Sequence, residues 1–268
     1  MASSKREKEL ARMRAERQAA RRAAAAARRR QRNAVIASVV AVALVALGVI
    51  LLATKIDRGG DAKAIEPSAA ASASPQKSLE PGTCEYTKTK QPASREVLFP
   101  PLTGVETEKL YTVHLTTNLG VIDIDLNTPA APCTVNNFRS LTARHYYDNT
   151  PCHRLSTAGI FVVQCGDPTG QGTGGPGYTF ADENLKDAKY PRGTVAMANS
   201  GPGSNGSQFF LVFKDTQLDP LYTPFGTITK GLDILEKVAK GGSTPEGDGK
   251  PNTPLKIVKA TANEKKKA

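Results

Sequence analysis

The sequence predicts a mainly β fold: a closed antiparallel barrel with two α-helices, carried behind a membrane span and a flexible tether. Three observations carry this reading. Short apolar and β-branched runs recur between Gly, Pro and Asn from Leu110 to Ala260. Only two stretches in that region have helical spacing. Upstream, Ala34 to Thr54 run 21 residues without a charge, about the length of helix that crosses a bilayer.

Charge is distributed unevenly along the chain. The formal net charge is +11, but residues 1–32 hold twelve Lys/Arg against three Glu, leaving only +2 for the other 236 residues. A nearly neutral body excludes a nucleic-acid groove there. The basic flank before the apolar run places residues 1–33 in the cytoplasm by the positive-inside rule, so 34–54 is read as a single-pass transmembrane helix in the lipid bilayer. A cleaved signal peptide is the competing reading, but its apolar region is ordinarily about 7–15 residues. Residues 55–108 form an Ala/Ser/Pro-rich linker and N-terminal extension, in which "EPSAAASASPQKSLEPGT" cannot bury a core.

The folded domain is expected at 109–260. "LYTVHLTTNLGVIDIDLN" alternates on both sides of Asn118-Leu119-Gly120 and reads as a hairpin. "TPAAPCTVNNFRSLTARHYY" places Val135, Phe138 and Leu141 at helical spacing after Pro129 and Pro132. "CHRLS", "GIFVVQC", "GTVAMAN", "SQFFLVF" and "TPFGTIT" are short strands. "GLDILEKVAKGG" is a second helix stopped by Gly241-Gly242, "PLKIVKA" is a last strand, and 261–268 is a basic, solvated tail.

Several chemistries are excluded. "GQGTGGPG" (Gly170 to Gly177) precedes no helix, so it is not a dinucleotide fingerprint. "GPGSNGS" has Pro202 where a nucleophile elbow needs Gly. Cys152, His153 and Cys165 match no common zinc spacing. Neither a metal nor a cofactor is expected. In "NGSQFF" strand alternation places Gln208, Phe210 and Val212 on one face, and Ser207, Phe209, Leu211 and Phe213 on the other.

Taken together, "CHRL", "GIFVVQCGDPTGQGTGG", "FADENL", "GTVAMANSGPGSNGSQFFLVF" and "TPFGTITKGLDIL" resemble the cyclophilin family of peptidyl-prolyl cis-trans isomerases over roughly Lys109 to Ala260. The whole chain resembles a membrane-anchored bacterial member. The resemblance implies an eight-stranded closed barrel capped by two helices. It also implies an enzyme that assists folding of proline-containing polypeptides outside the membrane. By similarity Arg154 is catalytic, and Phe210, Phe161 and Leu218 line the proline pocket. Gln164 and Gln208 bind the peptide backbone, Ala198, Asn199 and Ser200 form the segment that holds the peptide, and Gly172 lies beside the preceding-residue pocket. Phe209 is then core and Phe210 functional.

Departures from the family pattern fall at Val162 for a frequent Met, Gln217 for Trp, and Tyr222 for His. The missing indole implies weak cyclosporin binding. Four cysteines allow three pairings. If Arg154 and Gln164 face substrate, strand parity turns Cys152 and Cys165 to opposite faces, so they are expected not to be partners. The alternative function is a non-catalytic proline-peptide-binding or scaffold module, against which Arg154 and Phe210 argue. A monomer is expected.

Overall fold

The computed structural model describes residues 80–265. The basic segment 1–33, the apolar run 34–54 and the tether through residue 79 lie outside the described residues. Among the described residues no helix is long and apolar enough to cross a membrane.

The strands are β1 (Thr87–Lys88), β2 (Tyr111–Thr117), β3 (Gly120–Leu126), β4 (Thr150–Pro151), β5 (Arg154–Ser156), β6 (Val162–Cys165) and β7 (Tyr178–Thr179). They continue with β8 (Thr194–Met197), β9 (Phe209–Val212), β10 (Pro224–Lys230), β11 (Ser243–Thr244), β12 (Asp248–Pro251) and β13 (Lys256–Glu264). Helix α1 spans Pro132–Ala143 and α2 spans Leu232–Lys240.

Alternation builds the sheet. In β2 and β3 the inward residues Val113, Leu115, Ile122 and Ile124 are fully buried, in the register Val113↔Ile124 and Leu115↔Ile122. Between the helices, β8, β9 and β10 are central strands; all four residues of β8 and of β9 are buried.

The main sheet has eleven strands in the order β11-β12-β5-β6-β9-β8-β10-β3-β2-β13-β4, all antiparallel. It is a curled half-barrel with two ends, which corrects the expected closed eight-stranded barrel. The reason lies at β4 and β5, which Cys152-His153 join covalently. β4 bonds only to β13, whereas β5 bonds to β6 on one side and gives its other edge to β12. The ends of the sheet are thus β4 and β11, and among the described residues no ladder joins them.

Helix α1 packs Val135, Phe138 and Leu141 into the core, where the Phe138 ring lies 5.1 Å from both Phe209 and Phe225. Its own sequence supplies no side-chain cap. Glu183, from the "FADENL" stretch, caps it instead. The carboxylate accepts from the N–H groups of Cys133 (3.0 Å) and Thr134 (2.7 Å), the helix end that favours an anion. Helix α2 buries Ile234, Leu235 and Val238 and stops at Gly241, as its spacing and glycines predict.

The packed body reaches upstream of Lys109, since Cys84, Tyr86 and Val105 belong to the core. It also runs past Ala260, because β13 pairs with β2 as far as Glu264↔Tyr111 and Lys265 pairs with Asp125.

Two disulfides, Cys84–Cys133 and Cys152–Cys165, use all four cysteines. The second corrects the parity argument. Cys152 lies in the break between β4 and β5, not in β5, so the count from Arg154 does not carry through it. Cys152 is buried in the main core together with Cys165, with a Cα–Cα distance of 4.0 Å.

Candidate active site

Adjacent residues of β9 divide between two apolar groups. Phe209, fully buried, joins the main core with Cys165 and Leu211. Phe210, 5% exposed, forms a smaller group with Val162, Tyr190, Ala196 and Val212. Register explains the membership: Phe210 lies opposite Ala196 on β8 and Gln164 on β6, and Val212 lies opposite Val162. Partly buried Ala198, Leu218 and Tyr222 pack against this group, with the Tyr222 ring 5.6 Å from Phe210.

A line of polar side chains borders the smaller group. Arg154 sits directly opposite Gln164 across β5–β6. Its Nη1 donates to Gln164 Oε1 (3.1 Å). Gln164 Nε2 donates to Gln208 Oε1 (2.9 Å), and Gln208 Nε2 donates to the carbonyls of Gly172 (3.0 Å) and Gly174 (2.9 Å). On its other side Arg154 is gripped by Asp248 of β12, through Nε to Oδ1 (2.7 Å) and Nη2 to Oδ2 (2.6 Å). This fork-on-fork pairing fixes the guanidinium plane as well as its position. The Asp248 hydrogen bond also raises the Arg154 pKa further, and Arg154 in turn lowers that of Asp248. Gly249 lets β12 lie close against the Thr244–Pro245 segment at the end of β11, whose backbone a Cβ there would meet.

Asp167, fully buried, organises the glycine loop that ends this line. It accepts from the N–H groups of Thr169 (2.8 Å), Gly172 (2.7 Å) and Gly174 (3.0 Å). Burial would raise its pKa, but these donors, Gly174 foremost, hold it below the usual carboxylate value. His153 lies beneath the loop, where a Cβ on Gly172 would sit 3.1 Å from its ring. Burial depresses the His153 pKa, against the opposing pull of Asp167.

The structure brings Arg154, Gln164, Gln208 and Gly172 into one hydrogen-bonded line, and Phe210, Val162, Leu218, Tyr222 and Ala198 into the adjoining apolar group. Gln164, Gly172, Ala198, Asn199, Ser200 and Gln208 all border one cavity of about 420 Å³. Phe161 is partly buried against the main core, its ring 6.1 Å from Phe213, and Lys214 Nζ stands 4.4 Å over it. Gln217 is exposed.

Sequence reasoning missed Asp248, Asp167 and the cavity wall formed by Thr89, Gln91 and Pro92. An unpaired arginine expected on a substrate face was the signal that a carboxylate had to be found for it. Cys152 and Cys165 are spent in a disulfide, so neither is a thiolate ligand.

This arrangement offers a fixed cation beside an apolar group. The serine hydroxyls here are in structural use: Ser204 Oγ accepts from the Ser200 N–H and donates to the Gly201 carbonyl.

Residues 112–262 match the family model described as cyclophilin type peptidyl-prolyl cis-trans isomerase/CLD. A probable peptidyl-prolyl cis-trans isomerase B of Mycobacterium leprae is 46% identical over 201 residues, covering 67% of this chain and 68% of that protein. The Mycobacterium tuberculosis protein of the same description is 45% identical over 191 residues, 65% of this chain and 62% of that one. A crystal structure of a Cryptosporidium parvum cyclophilin type peptidyl-prolyl cis-trans isomerase superposes with a TM-score of 0.53 at 32% identity. The superposition covers 59% of this chain and 99% of that one. Another structure of that protein, in the presence of the dipeptide Ala-Pro, gives 0.52.

Proposed function

The chain belongs to the cyclophilin-type peptidyl-prolyl cis-trans isomerases, and from that premise we propose that Arg154 drives rotation of prolyl peptide bonds in polypeptides outside the cytoplasmic membrane. The observation that carries the reading is the Arg154 guanidinium, held on both sides beside the Phe210 group.

The barrier to overcome is the double-bond character of the amide, about 18–20 kcal/mol. Midway through rotation the prolyl nitrogen leaves conjugation and regains its lone pair. A cation placed there stabilises the twisted amide more than either planar form, and only that difference accelerates the reaction. A guanidinium carries five N–H donors. Three are committed to Asp248 and Gln164, which leaves two to meet substrate from a fixed position. Phe210, Val162, Leu218 and Tyr222 would grip the proline ring, while Gln164, Gln208 and the Ala198–Ser200 segment would hold the adjoining backbone. No nucleophile is required.

The direct test is exchange NMR on a proline peptide with the full chain. Arg154→Ala should lower kcat/KM by roughly two to three orders, the loss typical of one preorganised transition-state donor. Its circular dichroism should stay that of the wild type. A folded variant within threefold of wild type would sink the assignment and leave a peptide-binding module.

We also propose that residues 34–54 anchor the chain with the isomerase domain outside the cell membrane. The uncharged run and basic flank support this, as do two disulfides, which persist in oxidising compartments. Protease added to intact spheroplasts should then degrade the domain. Protection of the domain would reverse the topology.

A further inference from the structure

We infer that Thr89–Pro92, upstream of the family-matched residues 112–262, form a wall of the substrate groove and select the peptide side chain entering the cavity beside Gln164 and Gln208. The side chain admitted is an uncharged, hydrogen-bonding one. The inference rests on the isomerase reading for the identity of the ligand, a peptide lying along this face.

The stretch that contains this wall is tied to the fold along its length. At one end the Cys84–Cys133 disulfide fastens it to the start of α1, and the Tyr86 hydroxyl donates to the Cys133 carbonyl (2.8 Å). At the other end Arg95 Nη1 donates to the carbonyls of His145 (2.6 Å), Tyr146 (2.7 Å) and Asp148 (2.9 Å), just past the end of α1. Between these ties β1 pairs with β7, and the chain follows the glycine loop. Thr89 N–H donates to the Gly177 carbonyl (2.9 Å) and Ser94 N–H to the Gly175 carbonyl (2.8 Å). Gln91 Nε2 donates to the Thr173 carbonyl (2.7 Å), and Gly175 N–H donates to Ser94 Oγ (2.9 Å).

The loop braced in this way is the one whose Gly172 and Gly174 carbonyls orient Gln208. The approach needs glycine at 174, where a Cβ would collide with the Asp167 carboxylate and the Ser94 hydroxyl. The wall therefore touches the same hydrogen-bonded line that ends at Arg154.

The cavity's chemistry defines its occupant. Its volume is about 420 Å³, and no lining residue is charged. Beyond the bonds they already make, the amides of Gln91 and Asn199 and the Thr173 hydroxyl offer neutral donors and acceptors, while the Ser200 and Ser204 hydroxyls are committed to each other and to Gly201. A Lys or Glu side chain of the peptide would give up water there without a counter-charge, whereas Asn, Gln or Tyr would exchange one set of hydrogen bonds for another. Because Gln208 borders the cavity and shares its strand face with Phe210, the occupant flanks the proline in sequence.

The test uses full-length protein and peptides Ala-Xaa-Pro-Phe, with Xaa as Gln, Lys or Glu. Both kcat/KM and the dissociation constant by NMR titration are measured. Wild type should prefer Gln to either charged residue. Gln91 is exposed, but Gln91→Glu also gives up the bond to the Thr173 carbonyl, so charges at Pro92, whose side chain makes no hydrogen bond, control for that loss. Gln91→Glu should shift the Lys/Glu peptide ratio about threefold or more toward Lys, and Gln91→Lys should shift it as far toward Glu. Both shifts should shrink at high salt, as screening requires. The same pair of charges at Pro92 is the second probe. A Lys/Glu ratio that is equal in wild type and all four variants overturns the wall. Binding that follows the predicted ranking without isomerisation of any peptide supports the wall and overturns the isomerase reading.

Discussion

Phe209 and Phe210 are neighbours in the chain and both nearly inaccessible, yet they belong to different groups. Phe209 points into the main core, where Phe138 and Tyr147 meet it edge-on at 5.1 and 5.6 Å. Phe210 lies in a group of five buried residues, partly covered by Leu218 and Tyr222 and bordered by the line from Asp248 to Gly174. One central strand thus faces the main core on one side and the candidate site on the other. The difference teaches that burial alone does not identify a structural residue. What the residue is buried against, and whether polar groups converge at its edge, decides the matter.

The strongest way to break this comparison is to truncate both rings. Phe209→Ala should cost about 3–5 kcal/mol in a denaturant titration, the transfer term plus the cavity it leaves. Phe210→Ala should cost visibly less, since Leu218 and Tyr222 can settle toward the gap, but it should weaken proline-peptide affinity. Equal stability losses with unchanged affinity at Phe210 would make the smaller group a second core and nothing more.

Asp248 sharpens the comparison from the polar side. Its carboxylate is half exposed, and the Arg154 side chain is 37% exposed. A pair of that kind contributes only about 0–1 kcal/mol to stability. Asp248→Asn should therefore leave the denaturation midpoint almost unmoved. It should lower kcat about tenfold, some 1.4 kcal/mol, because the guanidinium loses one side of its fork, while KM stays near wild type because the Phe210 group is untouched. A rise in KM with kcat intact would mean that Asp248 contacts substrate instead of positioning Arg154. As a carboxylate whose pKa Arg154 depresses, it keeps the clamp closed at neutral pH and releases it only on strong acidification.

Periodic elements were legible because one short window contains their cause. The β2–β3 hairpin, both helices and the split of β9 follow from alternation or helical spacing alone. The elements missed were set by partners far along the chain. Asp248 lies 94 residues from Arg154, and Glu183 lies about 50 from the helix end it caps. Neither sits in a pattern that names its partner. Strand parity does not carry through the break at Cys152, and the sheet ends at β4 and β11 with no ladder between them among the described residues. Within the candidate site the line from Arg154 to Gly172 was legible through resemblance. The placement of Phe161 against Phe213 and Lys214 was not, since strand alternation says nothing about residues just outside a strand.

The smallest expected effect concerns His153, which lies under the polar line next to Arg154. Burial lowers its pKa below the ordinary imidazole value near 6.5, and the nearby Arg154 charge pushes the same way, while Asp167 and Gln208 oppose. Between the depressed folded value and about 6.5, the unfolded chain binds more protons than the folded one. Stability must then fall as pH is lowered through that window. Urea midpoints for wild type should decline from pH 7.5 to 5.5. His153→Gln, which carries no titrating ring, should show a flatter slope over the same interval, whatever its absolute stability. Groups common to both proteins cancel in that difference. A steeper slope in the variant would mean that the folded state binds the proton better than the unfolded chain. The Asp167 carboxylate would then outweigh burial, and the buried edge of the site would be a charged pair rather than a neutral ring.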